Sequence, residues 1–345
     1  MKAFVTGANS LVGSHIVRAL LEKKHQVCAL VRENSDTRCL ENLDIETIYG
    51  DVLQPGSFED ALHKCTVVFH AAAKFTYSPF DNSDLNNLVQ KGTENIITCA
   101  KEKGVKRIVL TSSSVTIGAA RDPQTLDETS EKTDGNSGKY VESKIHQEEI
   151  AMKKASSLGV DLILACPTIC VGENDYRLAE SNALFINYLK DPFKSTWPGG
   201  CNIVSAMDVG RGHLILAEKG ESGEKYVLGS ENLYWATIHS IISELCGIDG
   251  PRTIASHTTS YLAGITQEIS SWITGKRPFV TREQAKMVGM FYWYSSRKAM
   301  ALGYQPMHSR EALTRAISWL VTSDHVTREQ RATLTLSDDI YAVRN

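Results

Sequence analysis

The stretch Lys2-Ala3-Phe4-Val5-Thr6-Gly7-Ala8-Asn9-Ser10-Leu11-Val12-Gly13 decides the fold. A short apolar run of strand character meets a glycine, and residues 14–24 continue with apolar side chains at helical spacing. In such a turn, backbone N–H groups and a helix N-terminus can receive a pyrophosphate. Gly7 allows the tight turn and Gly13 the close packing of helix on strand, so Thr6, Gly7, Asn9, Ser10, Leu11, Val12 and Gly13 are candidate dinucleotide-binding residues. Glycines are also common in strand-to-helix turns for structural reasons, and the weight here comes from standing at the first one.

Outward from this turn, short β-branched runs alternate with longer helical segments, the pattern of a parallel sheet covered on both faces. Strands are expected at 3–5, 26–31, 45–49, 67–71, 107–111 and 162–165, and helices at 14–24, 57–64, 87–103 and 140–157. The predicted class is α/β, a Rossmann-type doubly wound parallel sheet with a smaller C-terminal substrate domain. The dinucleotide domain is placed at 1–170, with 203–230 returning to it, and the substrate domain at 171–345. After about Val171 the chain is richer in aromatics, and 323–345 is polar, read as a tail or a small added element.

The 345 residues carry 37 Lys+Arg against 40 Asp+Glu, a net charge of −3 with no long run of one sign. That balance argues against a nucleic-acid surface or a polybasic membrane anchor and toward a small-molecule partner. The opening at Met1 lacks the apolar stretch of a signal peptide and no window is apolar enough for a membrane span, so a cytoplasmic protein is expected. The 8 cysteines contain no C-x-x-C pair, which points to reduced, buried thiols and no metal site.

Arg32 follows the second strand, where NAD-selecting enzymes carry an acidic residue for the ribose 2′-hydroxyl. A cation there suits a 2′-phosphate, hence NADP as cofactor, with NAD the alternative. Asp51 and Val52 follow the third strand, Asp51 placed either to accept from an adenine amino group or to cap a turn. Tyr140 and Lys144 share one helix face, and a neighbouring cation is what a phenol of ordinary pKa near 10 needs to act as an acid or base. Thr111-Ser112-Ser113-Ser114 ends a strand upstream and offers a hydroxyl to a substrate oxygen.

Thr6-Gly7 with Gly13, Asp51, His70-Ala71-Ala72, Ser113, Tyr140-x-x-x-Lys144 and Pro167-Thr168, in that order, resemble the extended short-chain dehydrogenase/reductase (NAD-dependent epimerase/dehydratase) family. The resemblance covers about residues 2–320 and looks closest to the dihydroflavonol-4-reductase-like branch. It implies that Tyr140 donates the proton to a carbonyl oxygen. Lys144 lowers its pKa and holds the nicotinamide ribose, and Ser113, or else Ser112 or Ser114, orients the carbonyl. Ala71, Ala72, Ala73, Pro167, Thr168 and Ile169 would line the nicotinamide end. Ser10 stands where the family usually has a glycine, which either weakens phosphate binding or supplies a hydroxyl contact. Gly118 replaces the Asn that plant flavonoid reductases use, which argues against a flavonoid.

The expected activity is NADPH-dependent reduction of a ketone or aldehyde by direct hydride transfer, on an apolar or aromatic-containing carbonyl substrate. The serine run carries no acidic pair for elimination, and residues 165–172 read as in reductase members. A sugar-nucleotide epimerase using NAD, and a non-catalytic dinucleotide-sensing regulator, are the alternatives. Phe80, Trp197, Met287, Met290 and Phe291 are read either as substrate lining or as core, and His70 and His213 as packed rather than catalytic. A homodimer through 87–103 and 140–157 is expected from the resemblance.

Overall fold

A computed structural model describes residues 1–72, 85–130, 138–274 and 281–343. Strands β1 (Lys2–Thr6), β2 (Gln26–Val31), β3 (Glu46–Tyr49), β4 (Val67–His70), β5 (Arg107–Thr111) and β6 (Asp161–Pro167) lie side by side in the order β3-β2-β1-β4-β5-β6, all parallel. Each strand expected from the sequence coincides with one of these. The chain then leaves through β7 (Ile169–Val171), β8 (Ser195–Thr196) and β9 (Gly200–Ser205) and returns at β10 (Lys225–Leu228), which adds a seventh parallel strand beside β6. The residues around Ile203 therefore sit in a second sheet, and the return to the main sheet begins with the helix that follows them.

Side chains alternate across the main sheet. Ala3 and Val5 join one apolar cluster, built with Ile16, Leu20, Val209 and Leu216, while Phe4 joins another with Ile96, Ile97, Leu110 and Leu162. Helices α1 (Leu11–Glu22), α2 (Leu85–Glu102), α3 (Lys139–Leu158), α4 (Glu180–Lys190) and α5 (Ala206–Lys219) follow in chain order; α1 and α5 cover the first face and α2 and α3 the second. Burial on both faces explains why the strands read as continuous apolar runs.

Local chemistry sets the element ends. The Ser10 hydroxyl caps α1, so the helix begins at Leu11 rather than at the expected Ser14. The expected helix at 57–64 is instead two 3-10 turns, Pro55–Ser57 and Glu59–Leu62. Ser57 gives its hydroxyl to the Gln54 carbonyl at 2.7 Å and receives the Asp51 N–H, local bonds that compete with a regular helix.

The second sheet is centred on β9, which pairs with β7, with β11 (Glu231–Tyr234) and with β13 (Phe291–Tyr292), while the short β12 (Thr253–Ile254) pairs with β8 in a separate two-stranded sheet. Helices α6 (Trp235–Cys246) and Ser309–Leu320 pack on it around Ile203, Ile238, Leu245, Leu313 and Ile317. The polar C-terminal stretch folds onto this unit. Its short helices Arg328–Ala332 and Asp338–Ala342 bury Ile340, and Thr335 and Ser337 donate backbone N–H groups to Cys246 and Leu245.

Candidate active site

The strand order reverses between β1 and β4, and ligands of such sheets bind in the crevice beyond the carboxyl ends of those strands. Gly7 lies there in the left-handed region at φ +62°, and a Cβ on it would stand 2.8 Å from the backbone of Ala71 and Ala72. A Cβ on Gly13 would come to 2.1 Å from the Gly7 carbonyl oxygen. The two glycines thus hold the start of α1 tight against β1 and leave a side-chain-free floor, a cradle that fits a pyrophosphate. The Leu11 and Val12 N–H groups open the helix, with no acceptor inside it. Ser10 Oγ accepts the Gly13 N–H at 3.0 Å and caps the helix, an acceptor role that leaves its O–H able to donate. Asn9 donates from Nδ2 to the Asp36 carbonyl at 2.9 Å, tying this turn to the loop after β2.

That loop and the one after β3 frame an open cleft of about 700 Å³ lined by Arg32, Ser35, Tyr49, Asp51 and Arg177 among others. Asp51 does turn duty there, accepting the Leu53 N–H at 2.9 Å, while still facing the cleft. Val52 takes the Asn95 side chain on its carbonyl at 2.9 Å and would clash with any side chain at Gly92. Arg177, from the segment after β7, had no sequence signal, because only folding brings it to the cleft that Arg32 lines.

The serine run splits three ways. Ser112 donates to Oε1 of buried Glu148 at 2.5 Å, Ser113 hydrogen-bonds the Tyr140 phenol, and Ser114 meets the Tyr294 hydroxyl, which itself donates to the Gly118 carbonyl at 2.7 Å. Glu148 also accepts from Thr116 and from Lys225, so its charge is compensated beneath the site. Ser113 and Tyr140 are thereby brought together, with Lys144 one helical turn on. Burial pushes the Tyr140 phenol up to about 12, the Ser113 hydrogen bond opposing it. Burial pushes Lys144 down to about 8, with Glu148 pulling the other way.

Lys144 is held from below rather than by the phenol. Its Nζ donates to the Thr111 carbonyl and to Gln147 Oε1, both at 3.0 Å. Gln147 Nε2 in turn donates to Thr93 Oγ1 at 3.1 Å, Thr93 lies 3.5 Å from His70 Nε2, and His70 Nδ1 lies 2.7 Å from Thr6 Oγ1. Thr6 also accepts the Ala72 N–H at 3.1 Å. All five side chains are buried, so one polar chain runs from the glycine turn to the lysine. His70 is neutral within it, driven down to about 3 by burial and then by the Lys144 charge. His213 is likewise packed, between Val209 O and Thr111 Oγ1.

Pro167 ends β6, buried, and Thr168 bridges to β10 and the second sheet through Leu228 O and Asn202 Oδ1, with Ile169 starting β7. Ala73 and Phe80 lie outside the described residues. Trp197, Met287 and Met290 are half-buried against the apolar cluster of the second sheet, whereas Phe291 is buried on β13 and is core. The eight cysteines are all buried free thiols. Among the described residues no helix is long and apolar enough to cross a membrane.

The model of the NAD dependent epimerase/dehydratase family matches residues 3–229. The chain belongs to this family. A protein of Synechocystis sp., named provisionally a dihydroflavonol 4-reductase, is 30% identical over 330 residues, covering 94% of this chain and 95% of its own. Sterol demethylase protein B of Methylococcus capsulatus is 27% identical over 336 residues, covering 92% and 98%. The crystal structure of gox2253 superposes with a TM-score of 0.82 at 30% identity, covering 94% of this chain and 99% of that one. The chain is thus an NAD(P)-dependent enzyme of the extended short-chain dehydrogenase/reductase type with reductase relatives, and the family members of known structure share its parallel Rossmann-type sheet.

Proposed function

We propose that this enzyme reduces a ketone or aldehyde to an alcohol at the expense of NADPH. The observation that carries the reading is the Ser113–Tyr140 hydrogen bond beside Lys144, at the edge of the glycine crevice. When bound, the reduced nicotinamide supplies the hydride. Gly7, Gly13 and the N–H groups of Leu11 and Val12 hold the pyrophosphate, Arg32 faces the adenosine end, and Lys144 offers its remaining N–H to ribose hydroxyls. Ala71, Ala72, Pro167, Thr168 and Ile169 border the nicotinamide end.

Ser113 Oγ orients the substrate oxygen, and Tyr140 Oη delivers the proton to it as negative charge develops there. A phenol held high by burial is a proton donor in the resting enzyme, which suits reduction. Lys144, an ammonium at neutral pH, then stabilises the phenolate left behind. The serine run bears no carboxylate and Glu148 is engaged by Lys225, which favours reduction over elimination. The names of the relatives support a substrate with an extended apolar body, such as a ring ketone.

The test follows NADPH absorbance with a panel of ring ketones and aromatic aldehydes. The expectation is consumption by the wild type and loss of more than about a hundredfold in turnover for Tyr140→Phe, with NADPH fluorescence titration nearly unchanged. Tight retention of NAD through purification without net NADPH consumption would instead mark an epimerase.

A further inference from the structure

The cleft at the adenosine end carries a feature that the glycine turn does not explain. Two guanidinium groups from distant segments, Arg32 after β2 and Arg177 after β7, line the same opening. Among the described residues neither side chain has a hydrogen-bonded or ion-paired partner, although most other arginines are so engaged. Of the acidic residues beside them, Asp36 is paired with Arg38 at 2.7 Å, while Glu33 and Asp51, whose carboxylate accepts only the Leu53 N–H, carry the opposing charge.

The segment that bears Arg177 is anchored on both sides. Arg38 lies over the Tyr176 ring at 4.7 Å while pairing with Asp36 and, at 3.2 Å, with Asp324 of the C-terminal stretch. His325 Nε2 meets the Asp175 carbonyl at 2.8 Å, and Asp175 Oδ2 accepts from Ala179 and Asn182. Asn174 and Leu178 both adopt the left-handed backbone region, at φ +59° and +51°. Asn adopts this region readily, but at Leu178 it costs free energy and persists only where surroundings hold it. A surface loop pinned this firmly, bearing a long cation that among the described residues makes no hydrogen bond or ion pair, is built to aim that cation.

We infer that Arg177 is a second recognition residue for the 2′-phosphate of NADPH, closing on it together with Arg32, so that both halves of the chain read the cofactor. This rests on the NADPH reading above. Two guanidiniums match a phosphate dianion as forked donors, and a 2′-hydroxyl offers neither that charge nor those acceptors. Glu33 and Asp51 discriminate against a loose fit, because their charge must be outweighed by both arginines.

The test measures binding of 2′,5′-ADP and of 5′-AMP by calorimetry, which needs no turnover. The wild type is expected to bind 2′,5′-ADP at least tenfold more tightly than 5′-AMP. Arg177→Ala should weaken 2′,5′-ADP about tenfold or more while leaving 5′-AMP unchanged, Arg177→Lys should fall between, and Glu33→Gln should tighten 2′,5′-ADP. Arg177 is exposed, and an unchanged melting temperature will show that the variant is folded. An undiminished preference in Arg177→Ala, with preference lost in Arg32→Ala, overturns the role of Arg177 and leaves the NADPH reading standing. Equal weakening of both nucleotides also overturns it. A wild type without preference for 2′,5′-ADP overturns the NADPH reading itself.

Discussion

Gln147 Oε1 accepts a hydrogen bond from Lys144 Nζ at 3.0 Å, and through Nε2 the same amide reaches Thr93 on the way to His70 and Thr6. The ammonium is thus held from inside the protein, by an amide and a backbone carbonyl, in surroundings that already push it down to about 8. Removing the acceptor disfavours the charged form further, whereas a carboxylate in its place favours it. Gln147→Leu should therefore lower kcat about tenfold and move the alkaline limb of the pH–rate profile downward; Gln147→Glu should move that limb upward. Profiles of kcat against pH for the three proteins check this, and coincident limbs would mean that Gln147 only fills space.

The three serines make a sharper comparison. Ser113→Ala removes the hydroxyl that meets Tyr140, and its expected cost is about a hundredfold in kcat, in the range of a lost oxyanion donor. Ser112→Ala instead leaves buried Glu148 short of a donor 2.5 Å away, so its expected cost is stability, about 1–3 kcal/mol, with kcat little changed. Steady-state kinetics and urea unfolding on both variants separate the two. Equal kinetic damage from both would show that Ser113 has no special place.

Gly7 and Gly104 share a left-handed backbone, at φ +62° and +80°, but differ in surroundings. A Cβ at Gly7 meets the Ala71 and Ala72 backbone at 2.8 Å, while nothing lies within 4 Å of one at Gly104. Gly104→Ala should cost about 1 kcal/mol of stability and keep dinucleotide affinity. Gly7→Ala adds a backbone collision in the cradle and should abolish binding, read by NADPH fluorescence titration.

Much of this was legible before folding because it is local or periodic. The glycine turn, the six apolar runs and the Tyr140–Lys144 pair each declare themselves within a few residues, and burial on both sheet faces makes the strands readable as uninterrupted apolar stretches. The helix expected at 57–64 failed for an equally local reason, the Ser57 hydroxyl competing for backbone groups. What stayed hidden depends on contacts distant in sequence. Nothing near Ser112, Ser113 or Ser114 says which one faces Tyr140; Glu148, Lys225 and Tyr294 decide it by claiming the other two. Nothing near Arg177 or Gln147 announces the Arg32 cleft or the Lys144 contact. The aromatic share of the second half suggested a substrate lining, yet Trp197 and Phe291 went into packing, because a sheet as small as the one around β9 needs large side chains to close its core.

Acid should unfold this protein early, and four histidines set the window. Burial drives His70 down to about 3 and His15, His213 and His239 down to about 4, against about 6.5 in an unfolded chain. Between those values the unfolded chain binds protons that the folded one refuses, so stability present above pH 6.5 is lost as pH falls toward 4. At pH 5 each such histidine costs about 2 kcal/mol, and four approach the whole stability of an ordinary domain. Glu173, Asp175 and Asp208, raised by burial, oppose the trend, so a single-site variant is the cleaner measure. His239 stacks on Tyr188 and bonds Thr196 Oγ1 at 2.9 Å, a bond that an amide can replace. His239→Gln should therefore flatten the fall in melting temperature between pH 7 and 5 by about a quarter, and an unaltered slope would show that His239 takes up its proton in the folded protein as readily as in the unfolded one.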